Sequence, residues 1–386
     1  MTPFKTLNRR NSNSAKWESV KDKMPANDYL VFSVADSDYE TAPEIKAALK
    51  ARVEHGAFGY TMLDDDYYQI VQSWYQRRYQ LNIKKNWIIT APKVLTALSI
   101  IIDGLSSKKA AIVIQTPVYN VFFPAIKQNG RKVVENKLTQ KNGHYTMDIK
   151  DLEKHFKAGA EMLLLCSPHN PVGRIYTTDE LARIVALCKQ YGVTLVSDEI
   201  HADLVMPNHQ FVSLGKFFND YDNIILVSAP SKTFNLAGLQ SANIVVPNNE
   251  NRKKLKAYMR KRFLYAPNVL AIEAIKTAYT LCDDWVDAQN MHIYQNYQIL
   301  QSFLNQYNPA ITLTSLEGTY LAWIDFSCYQ MKSDALNDHF MKFNVALASG
   351  INYGLHCDGY LRMNLACSKA QLEDGLRSLK KALDAL

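Results

Sequence analysis

Residues 162–174 read MLLLCSPHNPVGR, a short apolar run closed by a polar turn with two prolines. A run of that length, bounded by turn residues, is the pattern of a strand buried on both faces. The same unit recurs outward from it. Residues 193–197 lead into Asp198-Glu199-Ile200-His201, residues 224–227 into Ser228-Ala229-Pro230-Ser231-Lys232-Thr233-Phe234, and residues 111–115 into Thr116-Pro117-Val118-Tyr119. Further β-branched runs stand at 87–90 and 243–246. Helix-like segments separate these runs, and such alternation predicts βαβ units on a largely parallel sheet. One separating helix can be followed residue by residue. Thr177 and Glu180 make a capping box, Leu181, Ile184, Val185 and Cys188 form one apolar stripe, and Gly192 ends it.

Beyond about residue 265 the rhythm changes to long helical stretches, strand-like runs at 319–324 and 360–365, and a last helix. That helix opens at Ser368 with Gln371 as the box partner and buries Leu372, Leu376, Leu379 and Leu383. We therefore expect a large α/β domain over residues 47–280 and a smaller α+β domain formed by 281–386 together with 1–46. No Gly/Ser/Pro-rich linker separates them, so a continuous helix or short turns should join them. Polar residues 8–16 (NRRNSNSAK) read as an irregular arm, loosely ordered or wrapped on a partner subunit.

Composition bounds the function. With 386 residues, 47% hydrophobic and 21% charged, the chain has the balance of a globular protein with a sizeable core. Its net charge of +7 is mild and its Lys and Arg are scattered among acids, which argues against nucleic-acid binding. The start, MTPFKTLNRR, lacks an apolar signal core, and no apolar stretch approaches the ~20 residues that span a bilayer. A cytoplasmic location is expected. Six cysteines (Cys166, Cys188, Cys282, Cys328, Cys357, Cys367) show no C-x-x-C spacing for metal or redox work. They read as buried small hydrophobes, with a reactive thiol weighed at Cys357 inside the polar His356-Cys357-Asp358.

In open parallel sheets the ligand crevice lies beyond the carboxyl ends of the strands. The strand ends quoted above bring an amide (Asn170), a carboxylate (Asp198), an amine (Lys232) and an aromatic ring (Tyr119) to one crevice. Each alone has an ordinary reading: a solvated lysine, a helix-capping aspartate, an Asn-Pro turn. Together they match what pyridoxal 5′-phosphate (PLP) requires. A lysine amine forms an imine with the cofactor aldehyde, and a carboxylate keeps the pyridine nitrogen protonated so that the ring accepts electrons. Lys232 and Asp198 fit those roles, Asn170 can hydrogen-bond the phenolic oxygen, and Tyr119 can stack on the ring. Phosphate binds backbone N–H groups at a helix start, which Ala91-Pro92-Lys93-Val94-Leu95 offers at Val94 and Leu95.

At these residues the sequence resembles fold-type I PLP enzymes and, more closely, the MalY/PatB group of cystathionine β-lyases, also called carbon–sulfur lyases. The most specific pieces are HGAFGYT (55–61), LLCSPHNPVGR (164–174), SDEIHADLV (197–205), APSKTFNLAGLQSA (229–242) and LRMN (361–364), and the likeness covers nearly the whole chain. It implies an aspartate aminotransferase-like α/β fold, a large domain with a mostly parallel sheet flanked by helices plus a smaller α+β domain. It also implies roles. Lys232 would bind PLP with Ser231 beside it, Asp198 would meet the ring nitrogen, Asn170 and His201 would approach O3′, and Tyr119 would stack. Arg362 would grip the substrate α-carboxylate with Asp36 nearby, and Tyr60 would reach the cofactor phosphate of the neighbouring subunit in a homodimer. Several positions depart from the family pattern. Lys93 stands where Gly is usual, Asn120 where a second Tyr is common, and Ser33 and Ser37 where Trp and Met are usual. Gln240, where many aminotransferases of this fold place an Arg, is the form usual in the lyase group.

The reaction implied is β-elimination from an amino acid with sulfur on Cβ, giving thiol, pyruvate and ammonia. Lys232 would act as the base at Cα and Arg362 would orient the carboxylate. An aminotransferase would use the same Lys and Asp, and stays open as the alternative. A PLP-binding regulatory module is disfavoured because no helix-turn-helix domain precedes the fold and Arg362 is retained.

Overall fold

The apolar runs form one seven-stranded sheet: β1 (Ile88–Ala91), β2 (Ala111–Thr116), β3 (Lys132–Lys137), β4 (Met162–Cys166), β5 (Thr194–Asp198), β6 (Ile224–Ser228) and β7 (Ala242–Val245). The computed structural model describes residues 4–25, 28–141, 143–264 and 267–386. The strand order is β1-β7-β6-β5-β4-β2-β3. β7 runs antiparallel to both its neighbours, and the remaining pairs are parallel. β1 therefore points the same way as β6, and its end at Ala91 opens on the same edge as Cys166, Asp198 and Ser228.

Alternate residues of the central strands enter opposite layers. Met162, Leu164 and Val196 pack with helix α1 (Val94–Leu105), whereas Leu163, Leu165 and Leu195 pack with helix α2 (Thr178–Tyr191). Both faces are covered, which is why these strands are apolar throughout. Each such Leu or Ile contributes roughly 1.5–3 kcal/mol by leaving water. α2 starts as its sequence specifies: Thr177 Oγ1 accepts from Glu180 N–H at 3.2 Å and Glu180 Oε2 accepts from Thr177 N–H at 2.8 Å. β3, KVVENK, has no apolar run to announce it. It lies at the sheet edge, where polar residues are tolerated.

A second, antiparallel sheet follows, made of β8 (Thr312–Leu313), β9 (Leu321–Asp325), β10 (Ala348–Ser349) and β11 (Tyr360–Asn364) in the order β8-β9-β11-β10. Helix α3 (Asp283–Tyr307), 25 residues long, joins the two cores. Its Val286 belongs to the core of the large sheet, and its Ile293, Leu300 and Leu304 to that of the second sheet. The last helix, α4 (Lys369–Asp384), packs Leu372, Leu379 and Leu383 on the second core. Its expected capping box is half made. Ser368 Oγ accepts from Gln371 N–H at 3.2 Å, but the Gln371 amide donates to Asp38 at 2.8 Å instead of returning to Ser368.

Part of the N-terminal arm is held on its own chain through Arg9, Lys16 and Trp17. Lys16 is buried with Nζ 2.7 Å from Asp38 Oδ2, Trp17 Nε1 donates to Asp38 Oδ1 at 2.9 Å, and Arg9 reaches Asp36 at 2.8 Å and Asp38 at 3.2 Å. The physical reason is charge. The fully buried carboxylate of Asp38 requires cations and N–H donors, and the arm supplies them. A short strand, Leu30–Val31, then pairs in parallel with Val345–Ala346 and fixes the following segment against the second sheet.

Five cysteines are buried and Cys328 is exposed. Burial pushes the Cys357 thiol up to about 12, so it holds no thiolate at neutral pH. Among the described residues, no helix is long and apolar enough to cross a membrane.

Candidate active site

A cavity of about 150 Å³ opens at the edge where β1, β4, β5 and β6 end. Register brings its floor together: Cys166 and Asp198 are paired across β4 and β5. Asn170, Tyr119, His201, Ser231 and Lys232 line it with Asp198, and Val94 and Leu95 line its other end. Nine of the eleven positions singled out in the sequence thus meet in this cavity or at Arg362 beside it; Tyr60 and Asp36 do not.

Lys232 sits in the loop after β6, and that loop is fixed from several sides. Asn235, at φ +57, exchanges two hydrogen bonds with the backbone of Ser37, at 3.2 and 3.0 Å. Thr233 Oγ1 donates to Asp203 at 2.8 Å, and Gln289 of α3 donates to the Thr233 carbonyl at 2.9 Å. Lys232 Nζ itself donates to the Ala35 carbonyl at 2.6 Å, which also accepts from Tyr320 at 3.0 Å. Burial, and then the nearby charge of Arg362, lowers the lysine to about 8. The amine is therefore held close to the neutral form that attacks carbonyl carbon and accepts protons.

Asp198 is buried, accepts the Ile200 N–H at 3.2 Å, and is pushed up to about 7 by burial against the pull of that bond and of Lys232. His201 lies well below its ordinary value because of burial, with Lys232 and Arg362 adding to the effect. Its buried Nδ1 has no hydrogen-bond partner. Burial, followed by Asp198, raises Tyr119 to about 12, so its ring is a neutral phenol.

Arg362 projects from β11. Its guanidinium donates to Asn170 Oδ1 at 3.1 Å and to the Ser33 carbonyl, and stands 5.0 Å from the Tyr353 ring centre. It is 4% exposed, its Nε has no hydrogen-bond partner, and it pairs with no acid among the described residues. A buried cation without a counter-ion is a receptor for an anion. Arg362 lines a second cavity of about 620 Å³ that also contacts Lys232, Tyr119 and Ala35. The two cavities share these residues and form one continuous crevice between the sheets.

The donor set fits PLP. The start of α1 carries no side-chain cap, and its first internal bond runs from Ala97 N–H to the Lys93 carbonyl at 2.9 Å. Val94 and Leu95 therefore keep N–H groups without helical acceptors, as a phosphate requires. Asp198 offers a carboxylate that burial raises to about 7, and a pyridinium nitrogen beside it would favour its ionised form. His201 and Asn170 line the same cavity.

Two sequence-derived positions lie outside this lining. Tyr60 is fully exposed. Asp36 gives its carboxylate to Arg9 at 2.8 Å and faces Lys16 at 3.7 Å. The carbonyl of Ala35, one residue earlier, is the group of this segment that enters the crevice. Sequence reasoning passed over Ala35, Tyr320 and Tyr353, because an alanine carbonyl and two core tyrosines carry no motif.

A twisted, largely parallel sheet with a Lys/Asp/Asn crevice at its carboxyl edge defines a PLP-type large domain. The chain belongs to the aminotransferase class I and II family, which it matches over residues 27–379. Among curated relatives it is similar to cystathionine beta-lyase PatB of Bacillus subtilis (strain 168), 36% identical over 97% of this chain and 98% of that protein. Protein MalY of Escherichia coli (strain K12) is 30% identical over 99% and 98%. Among solved structures, cystalysin from Treponema denticola, which contains a pyridoxal 5′-phosphate cofactor, superposes with a TM-score of 0.96 at 33% identity, covering 100% of this chain and 99% of that one.

Proposed function

We propose that this protein is a PLP-dependent carbon–sulfur β-lyase that cleaves an amino acid of the cystathionine or cysteine type to a thiol, pyruvate and ammonia. The observation that carries the reading is the pairing of Lys232 with Arg362. A lysine held near neutrality and a buried arginine without a counter-ion share one crevice. When bound, PLP supplies the electron sink that makes the Cα proton of an amino acid removable.

The chain's own residues do the rest. Arg362 takes the substrate α-carboxylate in a two-point grip, and Asn170, bonded to it, couples substrate position to the cofactor's O3′ edge. Lys232 Nζ removes the proton from Cα and returns it to the leaving sulfur. Asp198 would hold a proton on the ring nitrogen, Tyr119 would cover the ring face, and His201 and Ser231 would complete the cofactor contacts with Val94 and Leu95. Asp36, anchored to the arm, sets the height of the Ala35 carbonyl against substrate and lysine. The proposed division at residues 47–280 against 1–46 and 281–386 follows the cores only in outline, since Ala42, Ile45, Cys282 and Val286 pack in the large core and Leu204 and Met206 in the second. Tyr60 is assigned to the cofactor of a second subunit in a cytoplasmic homodimer. Its full exposure, together with the exposure of Phe58 and Met62, supports this.

The similarity to a cystathionine β-lyase at 36% identity supports elimination over transamination. The test is to incubate the holoenzyme with cystathionine and measure pyruvate with and without a 2-oxo acid. Pyruvate formed without the acceptor is expected. Negligible pyruvate alongside brisk amino transfer to 2-oxoglutarate would replace the lyase reading by the aminotransferase one.

A further inference from the structure

Lys93 stands at the N-cap of α1 with extended backbone, φ −164 and ψ 162, a conformation open to any side chain. It lines the cavity beside Val94 and Leu95, and its ammonium forms no ion pair with an acid among the described residues. The neighbouring lining groups at this end, Gln240, Ser241 and Ala237, are all neutral. The charged groups of the cavity, Asp198 and Lys232, belong to the opposite, reacting end. Within the same cavity the buried Nδ1 of His201 lacks a partner, which independently marks it as a place for a ligand.

A phosphate monoester carries roughly −1.5 to −2 at neutral pH, whereas a helix N-terminus offers about half a positive charge. The uncapped amides of α1 therefore orient such a group without neutralising it. A flexible four-carbon stem ending in an unpaired cation, rooted one residue before those amides, supplies the missing charge.

We propose that Lys93 is a cofactor-binding residue of this chain, its ammonium closing over the phosphate held by the N–H groups of Val94 and Leu95. The proposal rests on the PLP reading above and adds a residue to it. Lys93 acts on retention of the cofactor, because it touches the end remote from Lys232 and Asp198.

The test titrates apoprotein with PLP and, separately, with pyridoxal, which lacks the phosphate, following the visible absorbance of the lysine-bound form. Lys93→Met and Lys93→Gln are compared with wild type and with Lys93→Arg, each checked for folding by circular dichroism. Both neutral variants are expected to raise the Kd for PLP about fivefold. Arginine should keep it near the wild-type value, the pyridoxal Kd should not move, and the PLP difference should shrink at about 0.5 M salt. Unchanged PLP affinity in both neutral variants overturns the proposal, and so does an equal loss for pyridoxal. A wild-type protein that captures neither compound would instead overturn the cofactor reading itself, and is recognised before any variant is compared.

Discussion

The crevice works through a few groups whose protonation is set by burial, and each can be tested alone. Lys232→Ala should abolish the borohydride-trapped bond between chain and cofactor and lower turnover by about 10³-fold or more, as expected for loss of both attachment point and base. Peptide mapping after reduction reads the first effect. Asp198→Ala should leave the fold intact while turnover falls by about 10²-fold or more, because an unprotonated ring nitrogen withdraws electrons poorly. Near-normal kinetics would remove Asp198 from the role. The pH dependence follows from the sign of the lysine shift. Burial and Arg362 lower Lys232 to about 8, so the fraction of free amine in the apoprotein, and with it the rate of PLP capture, should rise through pH 8. Arg362→Met removes one lowering charge, and the midpoint should move upward, toward the ordinary value near 10.5. Stopped-flow capture rates against pH measure both midpoints. A midpoint that fell in the mutant would contradict the charge coupling. Lys232, Asp198 and Asn170 were readable from the sequence because each follows a strand whose apolar run is unbroken. Ala35 was not, since what it contributes is a backbone carbonyl placed by pairing between distant segments.

The elements that hold the crevice are joined by buried polar ties. Arg174, at the end of the Asn170 turn, donates to the Tyr145 carbonyl at 2.6 Å, pairs with Glu180 at 2.8 Å, and lies 3.1 Å from Glu317, which in turn accepts the Ile175 N–H at 2.8 Å. Arg174→Leu would leave the buried Glu317 without its guanidinium partner. Stability should drop by about 3 kcal/mol, visible as a lower denaturation midpoint. A variant as stable as wild type would show that water takes over the role of the guanidinium. The central strands and the box at α2 were readable because local pattern and tertiary burial agree there. β3 escaped notice, being a polar edge strand, and the box at α4 failed halfway because Asp38, far away in sequence, competes for the Gln371 amide. Local rules are overridden where a buried charge needs a donor.

For the assembled protein the decisive property is whether one chain suffices. Phe58, Tyr60 and Met62 are exposed by 55%, 107% and 88%, more apolar surface than a short connecting segment ordinarily leaves in water. Sedimentation should show a dimer. If Tyr60 serves the neighbouring site, mixing inactive Lys232→Ala and Tyr60→Ala proteins after reversible dissociation should recover activity. Random pairing leaves one intact site in half of the dimers, about a quarter of the wild-type activity. No recovery would place Tyr60 and Lys232 in the same subunit's site. The arm carries a further consequence. Arg9 and Lys16 hold the segment of Asp36 and Asp38, and that segment presents the Ala35 carbonyl to Lys232. Trimming the first seventeen residues, or crowding them with a purification tag, is therefore an alteration made at Lys232, although the chain places the two more than two hundred residues apart.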